Sequence, residues 1–242
     1  INKIMSIKRI LVVCSLLLSA TSFAQTKVYI APNGKVFTEE VYQKGKVTSL
    51  ANARTNYGAG YELYEKLELV SKTTDSIKYK FKWDFLTKDM LAEKLLLDKA
   101  VGSDLNLKNL NFLIAATRNK VDLAKPTFVN FWFTNCIPCI EELPALNELK
   151  EKYRDSINFV SVTFDDDKKV SYFLTKHKFD FIHIVDAKKL IDSLGVSGFP
   201  KSFLLDKNQK IQFIEGALPS VENKQSYEIQ MRSLTEKLNK LL

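Results

Sequence analysis

Cysteine is scarce in this chain, with 3 among 242 residues, and histidine is scarcer still, with 2. Small secreted folds stapled by disulfides use more cysteines, spread along the chain, so that architecture is excluded. Long apolar runs are missing too. The run "ILVVCSLLL" near the start falls short of the roughly 20 residues that span a bilayer. There is no Arg-rich stripe. The formal charge is +8, but Lys3, Lys8 and Arg9 stand in residues 1–24, which carry no acids, so removing those three leaves +5. That remainder is spread as mixed Lys, Glu and Asp, which reads as a solvated surface and excludes a nucleic-acid patch. Neither internal repeats nor low-complexity tracts occur. What is present is ordinary for a soluble globular protein, with 45% apolar and 26% charged residues. The length suits one substantial domain plus an appendage, or two small domains.

The first residues read as an export signal. Lys8 and Arg9 precede the apolar run, and "SATSFAQ" follows, where Ser22 and Ala24 suit a small-residue cleavage site. Cleavage after Ala24 leaves Gln25 first, and Met5 begins a better-formed signal than Ile1. Cys14 is read as an apolar part of that signal. Val13 before it is bulkier than the small residue a lipoprotein signal wants, so no lipid anchor is expected. The expectation is a signal peptide over residues 1–24 and a periplasmic mature protein with two cysteines, Cys136 and Cys139.

Residues 25–100 form an N-terminal region of unassigned role. "KVYIAPNGKVFTEEVY" has hairpin character, with Pro32-Asn33-Gly34 as its turn. "SIKYKFKWDF" alternates Ile77, Tyr79, Phe81 and Trp83 with lysines, the period of a half-buried strand. "TKDMLAEKLLLDK" reads as a short helix. The stretch "LANARTNYGAGYELYEK", punctuated by Gly and Asn, reads as loop-rich.

Residues 101–242 alternate strands and helices. "TFVNFWF" is a continuous apolar run, as in a buried central strand. A helix is expected over 136–153, with Leu143, Leu146, Leu149 and Tyr153 on one face and a kink at Pro144. "INFVSVTF" and "DFIHIVD" read as strands, "KKVSYFLTKHK" and "AKKLIDSLG" as helices, and "KSFLLDKNQKIQFIE" as an antiparallel hairpin. Tyr227, Met231, Leu234, Leu238 and Leu241 form the core-packing stripe of a last helix. This order implies an α/β fold, a mixed central sheet with helices on both faces.

The pair in "NCIPC" has three readings: a redox couple, half of a zinc site, or a structural disulfide. So short a loop gives little entropic stabilisation, which weakens the structural reading. His177 and His183 complete a nominal C-x2-C…H-x5-H set, but the gap between the pairs is far beyond finger spacing. His183 lies in the apolar "FIHIV" and His177 among helical lysines, so a core and a surface histidine, and no stable metal, are expected.

"VNFWFTNCIPC", the "ELP" just after it and "GVSGFPKSFLLD" near residue 200 together resemble the thioredoxin fold. They are most similar to the exported TlpA/ResA-like thiol:disulfide oxidoreductases of bacteria, within the AhpC/TSA-redoxin superfamily. The resemblance covers residues 101–242. It implies that Cys136 is the nucleophile, favoured as a thiolate at the start of a helix, and that Cys139 resolves the mixed disulfide. It implies a cis bond before Pro200, and that the backbone of Phe199 pairs with a substrate chain. Asn135 stands where the family usually has Trp, which bears on partner choice. Asn130 stands where thioredoxin has a buried Asp, so another base must serve Cys139. Asp166, in "TFDDDKK" with Asp165 and Asp167, aligns with a functional family acid; its alternative is a cap for the next helix. Glu142 is read as a surface residue. No cofactor is implied, since the pair itself stores two electrons. The expected partners are substrate proteins with cysteines or disulfides and a membrane-bound electron donor, with reduction the favoured direction. A thiol peroxidase of the redoxin superfamily is a rival, though such proteins typically lack C-x-x-C, and so is a non-enzymatic binding module.

Overall fold

The computed structural model describes residues 25–105, 121–218 and 224–242. The expected export signal, with Cys14 and the expected cleavage site after Ala24, lies outside the described residues. The chain divides into two compact units, the first ending at Phe85 and the second running Leu86–Leu242.

In the first unit, β1 (Thr26–Ile30) and β2 (Val36–Thr38) pair antiparallel. The intervening turn is closed by the Gly34 N–H on the Ala31 carbonyl at 2.9 Å, with Gly34 at φ 81°. Thr38 then caps α1 (Glu39–Tyr57). This helix replaces much of the loop expected before residue 66, and β3 (Tyr61–Lys72) takes the rest. The Thr38 cap and the acids Glu39 and Glu40 in the first turn favour the helix, and they outweigh its Gly and Asn residues. Gly45 has a packing reason: a Cβ there would meet the Trp83 ring at 3.5 Å. β4 (Ser76–Thr87) carries the alternating lysines and apolar residues, and the sheet order is β2-β1-β4-β3 with β1 parallel to β4.

The second unit begins with α2 (Lys88–Ala100), capped by Thr87, so the helix of "TKDMLAEKLLLDK" belongs here rather than with the N-terminal region. There follow β5 (Thr127–Phe131), α3 (Ile137–Glu141), α4 (Leu143–Tyr153), β6 (Asn158–Val162), α5 (Asp167–Leu174) and β7 (Ile182–Ile184). Next come α6 (Lys188–Leu194), β8 (Lys201–Leu205), β9 (Ile211–Glu215) and α7 (Lys224–Asn239). The sheet order is β7-β6-β5-β8-β9; β6 runs parallel to both β5 and β7, while β8 is antiparallel to β5 and to β9. This is the mixed sheet of a thioredoxin-like fold.

Alternation along β5 sorts the core into two layers. Phe128, with Trp132 just past the strand, joins Leu146, Leu149, Phe173, Leu234 and Leu238 on one side. Val129 and Phe131 join Leu97, Val160, Ile184, Ile191 and Phe203 on the other. Each such side chain, fully buried, contributes about 1.5–3 kcal/mol by removal from water. Both layers are needed because β5 sits mid-sheet, which is why its sequence is continuously apolar.

Candidate functional site

The chain leaves the sheet at Phe131, and Trp132 extends the ladder with one more bond to the Val162 carbonyl at 3.1 Å. Four residues later Cys136 is the N-cap of α3, its sulfur accepting the Cys139 N–H at 3.3 Å. Pro138 falls in the first turn, where a missing N–H costs nothing. Cys136 and Cys139 form a disulfide with Cα atoms 5.2 Å apart. Both sulfur-bearing residues are buried, while Asn135, Ile137 and Pro138 around them are exposed. The two differ little in accessibility, Cys136 at 4% and Cys139 at 2%.

The helix expected over 136–153 is two helices, broken at Glu142 and not bent at Pro144. Pro144 has no N–H for the Ile140 carbonyl and its ring crowds that carbonyl, so α3 ends a turn early and α4 restarts at Leu143. The break turns Glu142 inward, correcting its reading as a surface residue: it is 1% exposed. Its Oε1 accepts from Asn130 Nδ2 at 2.9 Å and its Oε2 from the Leu218 N–H at 2.9 Å. Asn130, buried on β5, also donates to Ser202 Oγ at 3.2 Å. Burial pushes the Glu142 carboxyl up to about 7, against the two N–H donors, which favour the ionised form. A missed signal was available: Cys139, Glu142, Leu143 and Leu146 are spaced 3, 4 and 7 residues on, one face of a helix whose other members are apolar.

The three aspartates after β6 have separate tasks. Asp165 is buried, its Oδ2 accepting both the N–H and the Oγ1 hydroxyl of Thr134, at 2.8 and 2.9 Å. It thereby ties down the loop that leads to Cys136. Asp166 caps α5, accepting the Lys169 N–H at 2.8 Å. Asp167 occupies the first turn of α5.

The Phe199–Pro200 peptide is cis, the geometry the resemblance implies. Pro200 is buried at the start of β8, and Phe199 packs against the apolar cluster that includes both cysteines. Phe199 meets Phe133 and Phe164 edge-on, at 5.5 and 5.8 Å between centroids, and those two rings stack at 5.5 Å. On the other flank, Asn135, Ile137 and Ile140 line a shallow groove opposite Lys169, Tyr172 and Lys176.

Neither histidine joins the cysteines. His183 Nε2 donates to the Phe179 carbonyl at 2.9 Å, leaving Nδ1 to accept from Ser161 Oγ at 2.6 Å. Burial holds its pKa down to about 4. His177 stacks on Phe173 at 4.4 Å. Among the described residues, no group of three or more His, Cys, Asp or Glu could hold a metal ion. No described helix is long and apolar enough to cross a membrane.

Comparison with known proteins adds a family. The Redoxin family model matches residues 102–228. Among curated relatives, the thiol-disulfide oxidoreductase ResA of Bacillus anthracis is 37% identical over 90 residues, covering 36% of this chain and 52% of the relative. The thioredoxin-like protein YneN of Bacillus subtilis (strain 168) is 30% identical over 110 residues, 43% of this chain and 65% of that protein. The chain thus spans about half the length of the ResA relative it matches. Among solved structures, a putative thiol:disulfide interchange protein DsbE from Chlorobium tepidum is 24% identical, covering 47% of this chain and 80% of its own, with a TM-score of 0.41.

Proposed function

The chain belongs to the Redoxin family, and from that footing we propose that it is a periplasmic thiol:disulfide oxidoreductase. It acts on exported proteins that carry cysteines or disulfides, in the reducing direction, apocytochromes being one such class, and a membrane-bound donor resupplies its electrons. The observation that carries this reading is the Cys136–Cys139 disulfide at the start of α3, with Phe199 packed on the same cluster.

In the reduced protein, Cys136 attacks one sulfur of the substrate disulfide as a thiolate. The other substrate sulfur leaves as a thiolate, and a mixed disulfide remains. Cys139 then attacks the Cys136 sulfur, breaks the mixed disulfide and releases the second substrate thiolate. The substrate gains two electrons and the pair becomes the disulfide described above, which the donor must reduce again. Cys139 has to lose a proton for its attack. Glu142, three residues on, buried and titrating near neutrality, is the acceptor suited to it. Asn130 cannot do this, and Asp166 would have to abandon its cap on α5 to take part. Pro200 and the Phe199 backbone position the substrate chain, and exposed Asn135 contributes to partner choice.

The decisive experiment compares wild type with Cys136→Ser in reduction of a protein disulfide; indistinguishable rates would remove the enzyme reading. Direction is tested by equilibrating the couple with glutathione. A potential near about −270 mV fits a reductase, while one near about −120 mV contradicts it.

A further inference from the structure

α2 precedes the residues that the family model matches, yet it delivers a carboxylate to the loop leading into Pro200. Glu93 is 9% exposed, and its Oε1 accepts the N–H groups of Ser197 and Gly198, both at 2.9 Å. Lys201 Nζ, on a side chain only 18% exposed, stands 3.5 Å from the same oxygen. Two amides and a cation on one oxygen offset the cost of taking a carboxylate out of water.

Two glycines give α2 room against this loop. A Cβ at Gly198 would lie 3.1 Å from Glu93 Oε2, tighter than an ordinary contact, so a larger residue there would press on the carboxylate. One turn further along α2, Leu96 does the same at Gly195, where a Cβ would come within 3.1 Å of Leu96 Cδ1. Gly195 itself closes α6 at φ 69°, a conformation that favours glycine. α2 therefore seats one polar and one apolar side chain on the two glycines that bracket the loop.

The tether acts on the Val196–Ser197 and Ser197–Gly198 peptide units, one peptide short of Phe199. Turning either unit would move the start of the Gly198–Phe199 peptide and, through it, the Phe199 backbone. We propose that Glu93 is a positioning residue that fixes the Phe199–Pro200 backbone for an extended protein substrate. This assignment rests on the exchange activity proposed above. It makes a specific demand: Glu93 matters for substrates that present a peptide backbone, and not for a small disulfide that has none.

The test uses the reduced full chain as wild type, Glu93→Ala, Glu93→Gln and Gly198→Ala, each assayed with insulin and with 5,5′-dithiobis(2-nitrobenzoate). Glu93→Ala is expected to lower kcat/KM for insulin roughly tenfold, mainly through KM, with the small disulfide changed less than about twofold. Glu93→Gln, which keeps an oxygen for the two N–H groups, is expected to recover most of the loss. Gly198→Ala, which pushes the carboxylate away, should reproduce the alanine pattern and carries the test if Glu93→Ala does not fold. Amide exchange at Ser197 and Gly198 should accelerate in Glu93→Ala and not in Glu93→Gln. Equal losses on both substrates, or no loss on either, overturn the assignment. Wild-type protein inert toward both substrates would instead remove the exchange activity, and this assignment with it.

Discussion

Glu142 and Glu93 are two carboxylates withdrawn from solvent in the same unit, and each accepts from two N–H groups, but their surroundings differ in charge. Glu93 sits with two backbone N–H groups and Lys201. Glu142 has one backbone N–H and the amide of Asn130, and no cation accompanies it among the described residues. Buried charge is tolerated when it is matched. The matched acid can serve as a fixed anchor. The unmatched one is held near the point where it exchanges a proton at neutral pH. One lysine beside Glu93 thus distinguishes the carboxylate proposed as an anchor from the one proposed to accept a proton.

The strongest way to break the contrast is Asn130→Asp, which puts a second acid against Glu142. Two carboxylates sharing a buried site cannot both ionise, and a loss of roughly 3–5 kcal/mol is expected at pH 8, shrinking toward pH 5. Urea unfolding at the two pH values measures it.

Glu142→Gln comes next. The folded-state pKa is raised from 4.5 to about 7, so the stability tied to this group is full below pH 4.5 and is lost as pH rises through 7. His183 has the opposite sign: its pKa falls from 6.5 to about 4, so its contribution is full above pH 6.5 and is lost as pH falls through 4. Between pH 4.5 and 6.5 the two slopes oppose each other, and the wild-type curve from these groups is nearly flat. Glu142→Gln removes one slope. The variant should gain about 3 kcal/mol on wild type between pH 4.5 and 8, and its own stability should now climb with pH below 6.5. A variant whose stability runs parallel to wild type across that range would show that Glu142 is ionised as usual.

On the other side of the comparison, Lys201→Met leaves the Glu93 carboxylate with its amides alone. A loss of about 2 kcal/mol is expected, read from denaturant midpoints at pH 8. The smallest effect is Asp166→Ala, which removes an ordinary helix cap and should cost about 1 kcal/mol. A thermal melt combined with an unchanged insulin-reduction rate would confine Asp166 to that structural task.

Much of the second unit was legible because its signals are local. The continuous apolar run of β5, the polar turn between β8 and β9, and the C-x-x-C after a strand need only neighbouring residues to be read. α1 was hidden because Gly and Asn punctuate it, and its glycine answers to Trp83 on a distant strand. Glu142 looked like surface because its burial depends on where Pro144 breaks the helix, although its spacing from Cys139 and Leu146 pointed inward. Glu93 offered no sign at all. Its partners lie 104 and 105 positions away, and nothing around "MLAEKL" distinguishes that acid from any other on a helix face.

That separation has a consequence for how the protein is made. Synthesis delivers α2 first, then the cysteines, and only much later the loop that Glu93 grips. A growing chain therefore carries both thiols before the Ser197–Gly198 loop exists, and the contact from Glu93 closes only once that loop is made, since distant pairings bring their reward only after the intervening chain is ordered. The proposed positioning of a protein substrate would in this sense be acquired late, well after both thiols are in place.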